Sequence, residues 1–235
     1  MAGETAKTEA VCLDIRPWSQ TSHVTKWITP SGPLTTIVKG AVRPKSAFLG
    51  QYDLNYTCEI LYYLRSRGDT HALREASPVK LRERLRDDFR TLALAGHMRR
   101  TIAELAPSGP DAEEWFETLD SSLDRLAEGP KTATGLLRIM LRFELKTLAL
   151  AGLSPEIEAE KGVFSLRGER KMAIPPEVAT CIRNPLAEKN FEILVDTARA
   201  IGVFYQFHLD CALDARRVAL RMISNQNQGK QADEN

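Results

Sequence analysis

Between Ile15 and Tyr52 the sequence contains no Asp or Glu, while Arg16, Lys26, Lys39, Arg43 and Lys45 are all basic. Trp18, Trp27 and Phe48 lie in the same stretch. Cations that neutralise phosphates, set beside aromatic faces on which bases stack, are what single-strand binding requires. The pattern predicts phosphate contacts from Arg16, Lys26, Lys39, Arg43 and Lys45, with Trp18 and Trp27 as stacking candidates. Trp27 falls within the alternation of a predicted strand and equally suits a core position. Gly40 and Pro44 mark the segment from Lys39 to Lys45 as a loop that projects its basic groups together.

A second basic pattern lies further on. Arg138, Arg142 and Lys146 recur at i, i+4 and i+8 and form a stripe on a predicted helix. Such a stripe is either the wet face of an amphipathic helix or a site for an acidic peptide. Bond-making chemistry has no comparable support. There is no G-x-S-x-G, H-E-x-x-H or G-x-G-x-x-G, and Pro130 breaks the one resemblance to a phosphate loop, at Gly129-Pro130-Lys131-Thr132. The histidines His23, His71, His97 and His208 stand apart, and Glu156, Glu158 and Glu160 read as a solvated loop. The expectation is a protein that is not an enzyme and needs no cofactor.

The bulk numbers fit that expectation. A net charge of +1 excludes a globally basic coat protein, and 43% apolar residues over 235 positions permit one large or two modest cores. Cys12, Cys58, Cys181 and Cys211 form no C-x-x-C pair, so neither a disulfide framework nor a thiolate metal site is expected. The N-terminus lacks an apolar signal segment, and no apolar run approaches the roughly 18 residues of a membrane span. A reducing cytoplasm is the predicted setting.

These groups need elements to hold them. Alternating or β-branched runs at 10–15, 23–29, 34–39, 54–63 and 71–76, separated by turn formers, predict five strands, and an OB-type barrel is the economical closure. Ser77-Pro78 then reads as a helix start, and the period changes to 3.6. Further helices are predicted from Asp111 to Gly129, from Thr134 to Ala151, from Asn184-Pro185 onward, and over 214–223. The stretch 156–176 fits neither pattern apart from a short hairpin near Val163–Leu166. The fold class is therefore α+β. A five-stranded OB-fold barrel over 1–77 precedes an all-α domain over 78–223, which carries an irregular insertion at 153–183. A polar tail, 224–235, is expected to be disordered.

Lys39-Gly40-Ala41-Val42-Arg43-Pro44-Lys45-Ser46 resembles the K-G-x-R-R-P-x-S segment of the bacterial recombination and repair mediators of the RecO family. Gln20-Thr21 stands where that family usually has Glu-Thr. Trp115-Phe116 through Glu128-Gly129 is similar to its "F-x-x-L…L-D-x-L-A-E-G" helix, and Leu141 through Pro155 to its "R-F-E-L-x-L-L-x-x-x-G-x-x-P". The resemblance spans nearly the whole chain. It implies an OB domain followed by a helical domain, binding to single- and double-stranded DNA, strand annealing, and loading of recombinase onto strands coated by single-strand-binding protein. It implies RecR and the acidic tail of single-strand-binding protein as partners, with Arg138, Arg142 and Lys146 as candidates to bind that tail. Many family members carry C-x-x-C pairs that bind zinc after the "G-x-x-P" segment. Here that region has Glu158 and Lys161 before Gly162 and no cysteine around Lys171–Ile174, so packing alone is expected to hold the insertion. A protein-interaction adaptor whose barrel no longer binds DNA is the alternative from another class.

Overall fold

In the computed structural model, residues 4–65, 68–158, 162–167, 170–208 and 213–232 are described. Five strands, β1 (Thr5–Pro17), β2 (His23–Thr29), β3 (Gly32–Val38), β4 (Thr57–Tyr63) and β5 (Thr70–Lys80), close a barrel in the order β1-β2-β3-β5-β4. All pairings are antiparallel except β3 with β5, which is the topology of the predicted OB-type barrel. Alternation decides what fills it. Ala10, Cys12, Trp27, Val38, Cys58, Ile60 and Leu73 form one buried cluster, the inward set of a period-2 pattern.

Among the described residues six α-helices follow: α1 (Phe89–Leu105), α2 (Ala112–Glu128), α3 (Ala133–Leu150), α4 (Pro176–Arg183), α5 (Phe191–His208) and α6 (Leu213–Ala232). Contacts divide the chain into two compact units. The first is the barrel up to Arg82 together with Leu105–Leu123, and the second is Glu83–Glu104 with the chain from Asp124 onward. The division thus differs from a simple cut at residue 77. Asp120 of α2 accepts hydrogen bonds from Thr57, Lys80 and Arg82, each at 2.5 Å. Burial alone would raise the Asp120 carboxyl, but these three partners outweigh it and hold it below its ordinary value. Just before α2, Gly109 donates to the Ser31 carbonyl at the β2–β3 turn (2.9 Å). Gly32 in that turn has φ +120°, and a Cβ there would stand 2.9 Å from the Pro107 oxygen. Only glycine permits that approach.

Several boundaries correct the sequence reading. Ser77-Pro78 lies inside β5 and is not a helix cap; Pro78 pairs with Cys58 beside a register shift, where a missing N–H is tolerated. The first helix begins at Phe89, capped by Asp88, whose carboxylate accepts from the Arg90 N–H at 2.8 Å. Pro175-Pro176 starts α4, with proline inside the first turn. Asn184-Pro185 precedes a loop instead of opening a helix. Asn190 is the cap of α5, accepting from Glu192 N–H at 2.9 Å. Helix α6 continues to Ala232, through residues expected to be disordered. Gln226, Gln228, Lys230, Gln231 and Ala232 are good helix formers.

The insertion is more ordered than expected. Strands β6 (Ile157–Glu158), β7 (Val163–Arg167) and β8 (Arg170–Ala173) form a small antiparallel sheet. Phe164 of β7 is fully buried and meets Phe204 of α5 with centroids 5.5 Å apart, and Phe204 stacks on His208 at 4.2 Å. Polar contacts add to this packing. Lys171 pairs with Glu158 at 2.7 Å, and the His208 ring hydrogen-bonds to the Leu166 carbonyl. The expectation of packing alone is corrected accordingly. Glu160, Lys161 and Cys211 lie outside the described residues.

Candidate nucleic-acid interface

The basic loop after β3 is shaped by its glycine. Gly40 has φ +67°, the Arg43 N–H closes a turn onto its carbonyl at 3.2 Å, and a Cβ at this position would stand 3.3 Å from Arg43 Cδ. The left-handed backbone at residue 40 favours glycine, and a Cβ there would press the Arg43 side chain aside by a few tenths of an ångström. The β1–β2 loop is tied to the same turn. Gly40 N–H donates to Ser22 Oγ (3.3 Å), Val42 N–H donates to the Thr21 carbonyl (3.3 Å), and Trp18 N–H donates to the Ser22 carbonyl (2.8 Å).

Between these two loops opens a groove of about 590 Å³, lined by Trp18, Ser19, Ser22, Ile37, Lys39, Gly40, Arg43 and Arg65. Trp18 is 67% exposed, and Lys39, Arg43 and Arg65 are all exposed. An indole face stands beside three cations, with no carboxylate in the lining. Arg65, on the β4–β5 loop, is absent from the sequence reading. Nothing in its local pattern marks it, because only the closing of the barrel carries the β4–β5 loop to the mouth shared by the other two.

The remaining sequence-predicted residues are not all part of this groove. Trp27 is completely buried, and its indole N–H donates to Thr36 Oγ1 at 2.9 Å. It is a core residue with its one polar atom satisfied, which rules out base stacking. Arg16 is exposed but paired with Asp14 at 2.6 Å, one residue before the acid-free stretch. Lys26, also exposed, is the ladder partner of that same Asp14. One carboxylate thus offsets both cations. Lys45 is exposed on the basic loop yet does not line the groove.

On α3 the predicted stripe divides. Arg138 is half-buried and donates from Nε to the Glu188 carbonyl at 2.5 Å, whereas Arg142 and Lys146 are exposed. The opposite face of α3 buries Glu144, whose carboxylate meets His97 Nε2 at 2.8 Å and Arg216 at 2.8 and 3.0 Å. Glu144 stands four residues from both Met140 and Leu148, on the apolar face. A charge at such a position is the signal that could have marked it. No group of three or more potential metal ligands occurs among the described residues, and no helix there is long and apolar enough to cross a membrane.

An OB-type barrel with a cationic, tryptophan-bearing mouth, continued by a mainly helical unit that carries one small sheet, defines the architectural class. Residues 86–162 match the family model described as "Recombination protein O C terminal". The "DNA repair protein RecO" of Syntrophobacter fumaroxidans (strain DSM 10017 / MPOB) is 26% identical over 144 residues, which is 61% of this chain and 57% of that protein. The match thus spans little more than half the length of that relative. Over these stretches the chain is similar to proteins of the RecO family. The family-model match falls in the helical part, while the groove lies in the barrel that precedes it.

Proposed function

We propose that the chain acts in DNA repair and homologous recombination as a non-enzymatic mediator that holds single strands in the barrel groove. The observation that carries this reading is the exposed Trp18 face beside Lys39, Arg43 and Arg65. Phosphates on the cations would release counterions, and bases on the indole would stack, without sequence preference. Duplex DNA would engage the cations alone. Strand annealing, RecR binding and recombinase loading on strands coated by single-strand-binding protein belong to this reading through the family, as does a bacterial cytoplasmic location.

With three cations in the groove, the log–log salt slope on single strands is expected near −2, at ~0.7 per phosphate, and Lys45 would steepen it. Lys39→Ala, Arg43→Ala and Arg65→Ala combined should remove about two units of slope and weaken all sequences alike. The measurement is titration of labelled single-stranded DNA at two salt concentrations. A correctly folded triple variant that binds as tightly as the parent at both would return the barrel to the adaptor reading.

For the helical unit, the proposed partner is the acidic tail of single-strand-binding protein, held by Arg142 and Lys146, with Arg138 already committed to Glu188. Arg142→Glu should weaken binding of a tail peptide by roughly 1 kcal/mol or more, the order of an exposed pair reversed. Its melting temperature should not move. Unchanged peptide affinity, measured by anisotropy, would remove this docking site.

A further inference from the structure

Behind the basic loop lies a second opening that the phosphate groove does not use. It encloses about 340 Å³ and is lined by Ile15, His23, Ala41, Val42, Phe48, Leu49, Gly50, Tyr52, Asp53 and Leu54. Its floor is aromatic. Phe48 and Tyr52 meet edge to face at 6.5 Å, Tyr52 rests on the buried Trp27 at 6.0 Å, and Tyr52 Oη is 2.9 Å from His23 Nδ1. Its rim is apolar and open, with Leu49 51% and Val42 48% exposed.

The lining holds no lysine or arginine and includes one carboxylate, Asp53. A phosphate meets no lysine or arginine here and faces a carboxylate, whereas a flat, uncharged ring has both a surface and hydrogen-bonding groups. Burial is the main cause that pushes the Tyr52 hydroxyl up to about 12, so it remains a neutral donor and acceptor at physiological pH. The two openings are also neighbours along the chain. Ser22 lines the groove and His23 the pocket; Gly40 and Arg43 line the groove while Ala41 and Val42 between them line the pocket. A strand whose phosphates lie on Lys39 and Arg43 therefore runs over the same loop whose Ala41 and Val42 line this cavity.

We propose that the Phe48–Tyr52 pocket receives one unstacked nucleobase of the same single strand whose backbone occupies the Trp18 groove. The site has two compartments, one reading charge and one reading the π face of a base. It rests on the single-strand reading above and adds a second base contact, in the loop rather than on the tryptophan.

The test uses the full chain and a single strand of roughly ten nucleotides, within the span of one OB domain, beside an abasic strand with the same phosphates. Val42→Ser combined with Leu49→Ser alters only the exposed rim. The expected result is a loss of about five- to tenfold on the normal strand, none on the abasic strand, and an unchanged salt slope. A parallel experiment irradiates the unmodified protein bound to a strand containing 5-iodouracil. A crosslink to the peptide carrying Phe48 and Tyr52 supports the pocket, and crosslinks confined to the peptide carrying Trp18 overturn it. Equal losses on both strands would assign the rim to loop geometry and end the proposal. Normal binding by both parent and variant would do the same while leaving the groove intact. Failure of the parent to bind either strand would instead remove the single-strand reading itself, and the pocket with it.

Discussion

Replacing Glu144 by Gln is expected to cost the helical unit about 3–5 kcal/mol, the usual result of breaking a buried ion pair from one side. Glu144 is completely buried, and the Arg216 side chain is 4% exposed. Arg216 also donates to the Ala198 carbonyl at 2.7 Å, and its guanidinium lies 5.5 Å from the Tyr205 ring. A neutral amide would leave the buried guanidinium with no counter-charge among the described residues. Gly202 makes the arrangement stricter, because a Cβ there would stand 2.6 Å from Arg216 Nη1, so Gly202→Ala should destabilise through the same cation. Burial by itself would raise the Glu144 carboxyl, yet Arg216 and His97 outweigh it and hold it below its ordinary 4.5. The folded protein therefore binds this proton less tightly than the unfolded chain does. The resulting stability is fully present above about 4.5 and is lost as pH falls through the lower folded value. Urea unfolding followed by circular dichroism should show a lower midpoint for the Gln variant at neutral pH. It should also show a flatter decline below pH 4.5 than the parent's. A variant as stable as the parent at pH 7 would mean that the pair contributes nothing net. A double replacement of Glu144 and Arg216 by leucines should recover part of the loss, since apolar pairs often replace buried ions at little cost.

The difference between what the sequence discloses and what it conceals follows from the range of the forces involved. Strand alternation is local, and β2 is predicted at its observed bounds, His23–Thr29. The change to a 3.6 period marks the helices for the same reason. Pro78 misleads because the same residue suits a helix start and a bulged strand, and only pairing with Cys58 decides between them. The candidate site divides along the same line. Lys39 and Arg43 share a loop with Gly40, and their proximity is written in consecutive residues. Arg65 joins them only through barrel closure, and Asp14 offsets Arg16 and Lys26 through side-chain geometry and ladder register that composition does not reveal. The two tryptophans show how little residue type alone says. Trp18 and Trp27 occur in one acid-free stretch, yet one faces solvent and the other fills the barrel.

That contrast makes Trp18→Ala the most informative change in the barrel. The side chain is exposed and belongs to no buried cluster, so truncation should leave stability within about 0.5 kcal/mol of the parent. Affinity for single-stranded DNA should fall by about 1–3 kcal/mol, the range for one base–aromatic stack. The salt slope should stay as it was, because the indole carries no charge and releases no counterion. Trp18→Phe keeps a smaller π face and should recover part of the loss. Trp27→Ala should behave in the opposite way, costing about 3–5 kcal/mol of stability through the cavity it leaves, with any binding defect following from unfolding. Fluorescence provides an independent readout. Of the three tryptophans, Trp27 and Trp115 are buried and Trp18 is exposed. Quenching by a bound strand should therefore arise from Trp18 and disappear in Trp18→Phe. If quenching and affinity both survive in that variant and in Trp18→Ala, the indole is a bystander. The cations would then hold the phosphates with no base contact in the groove.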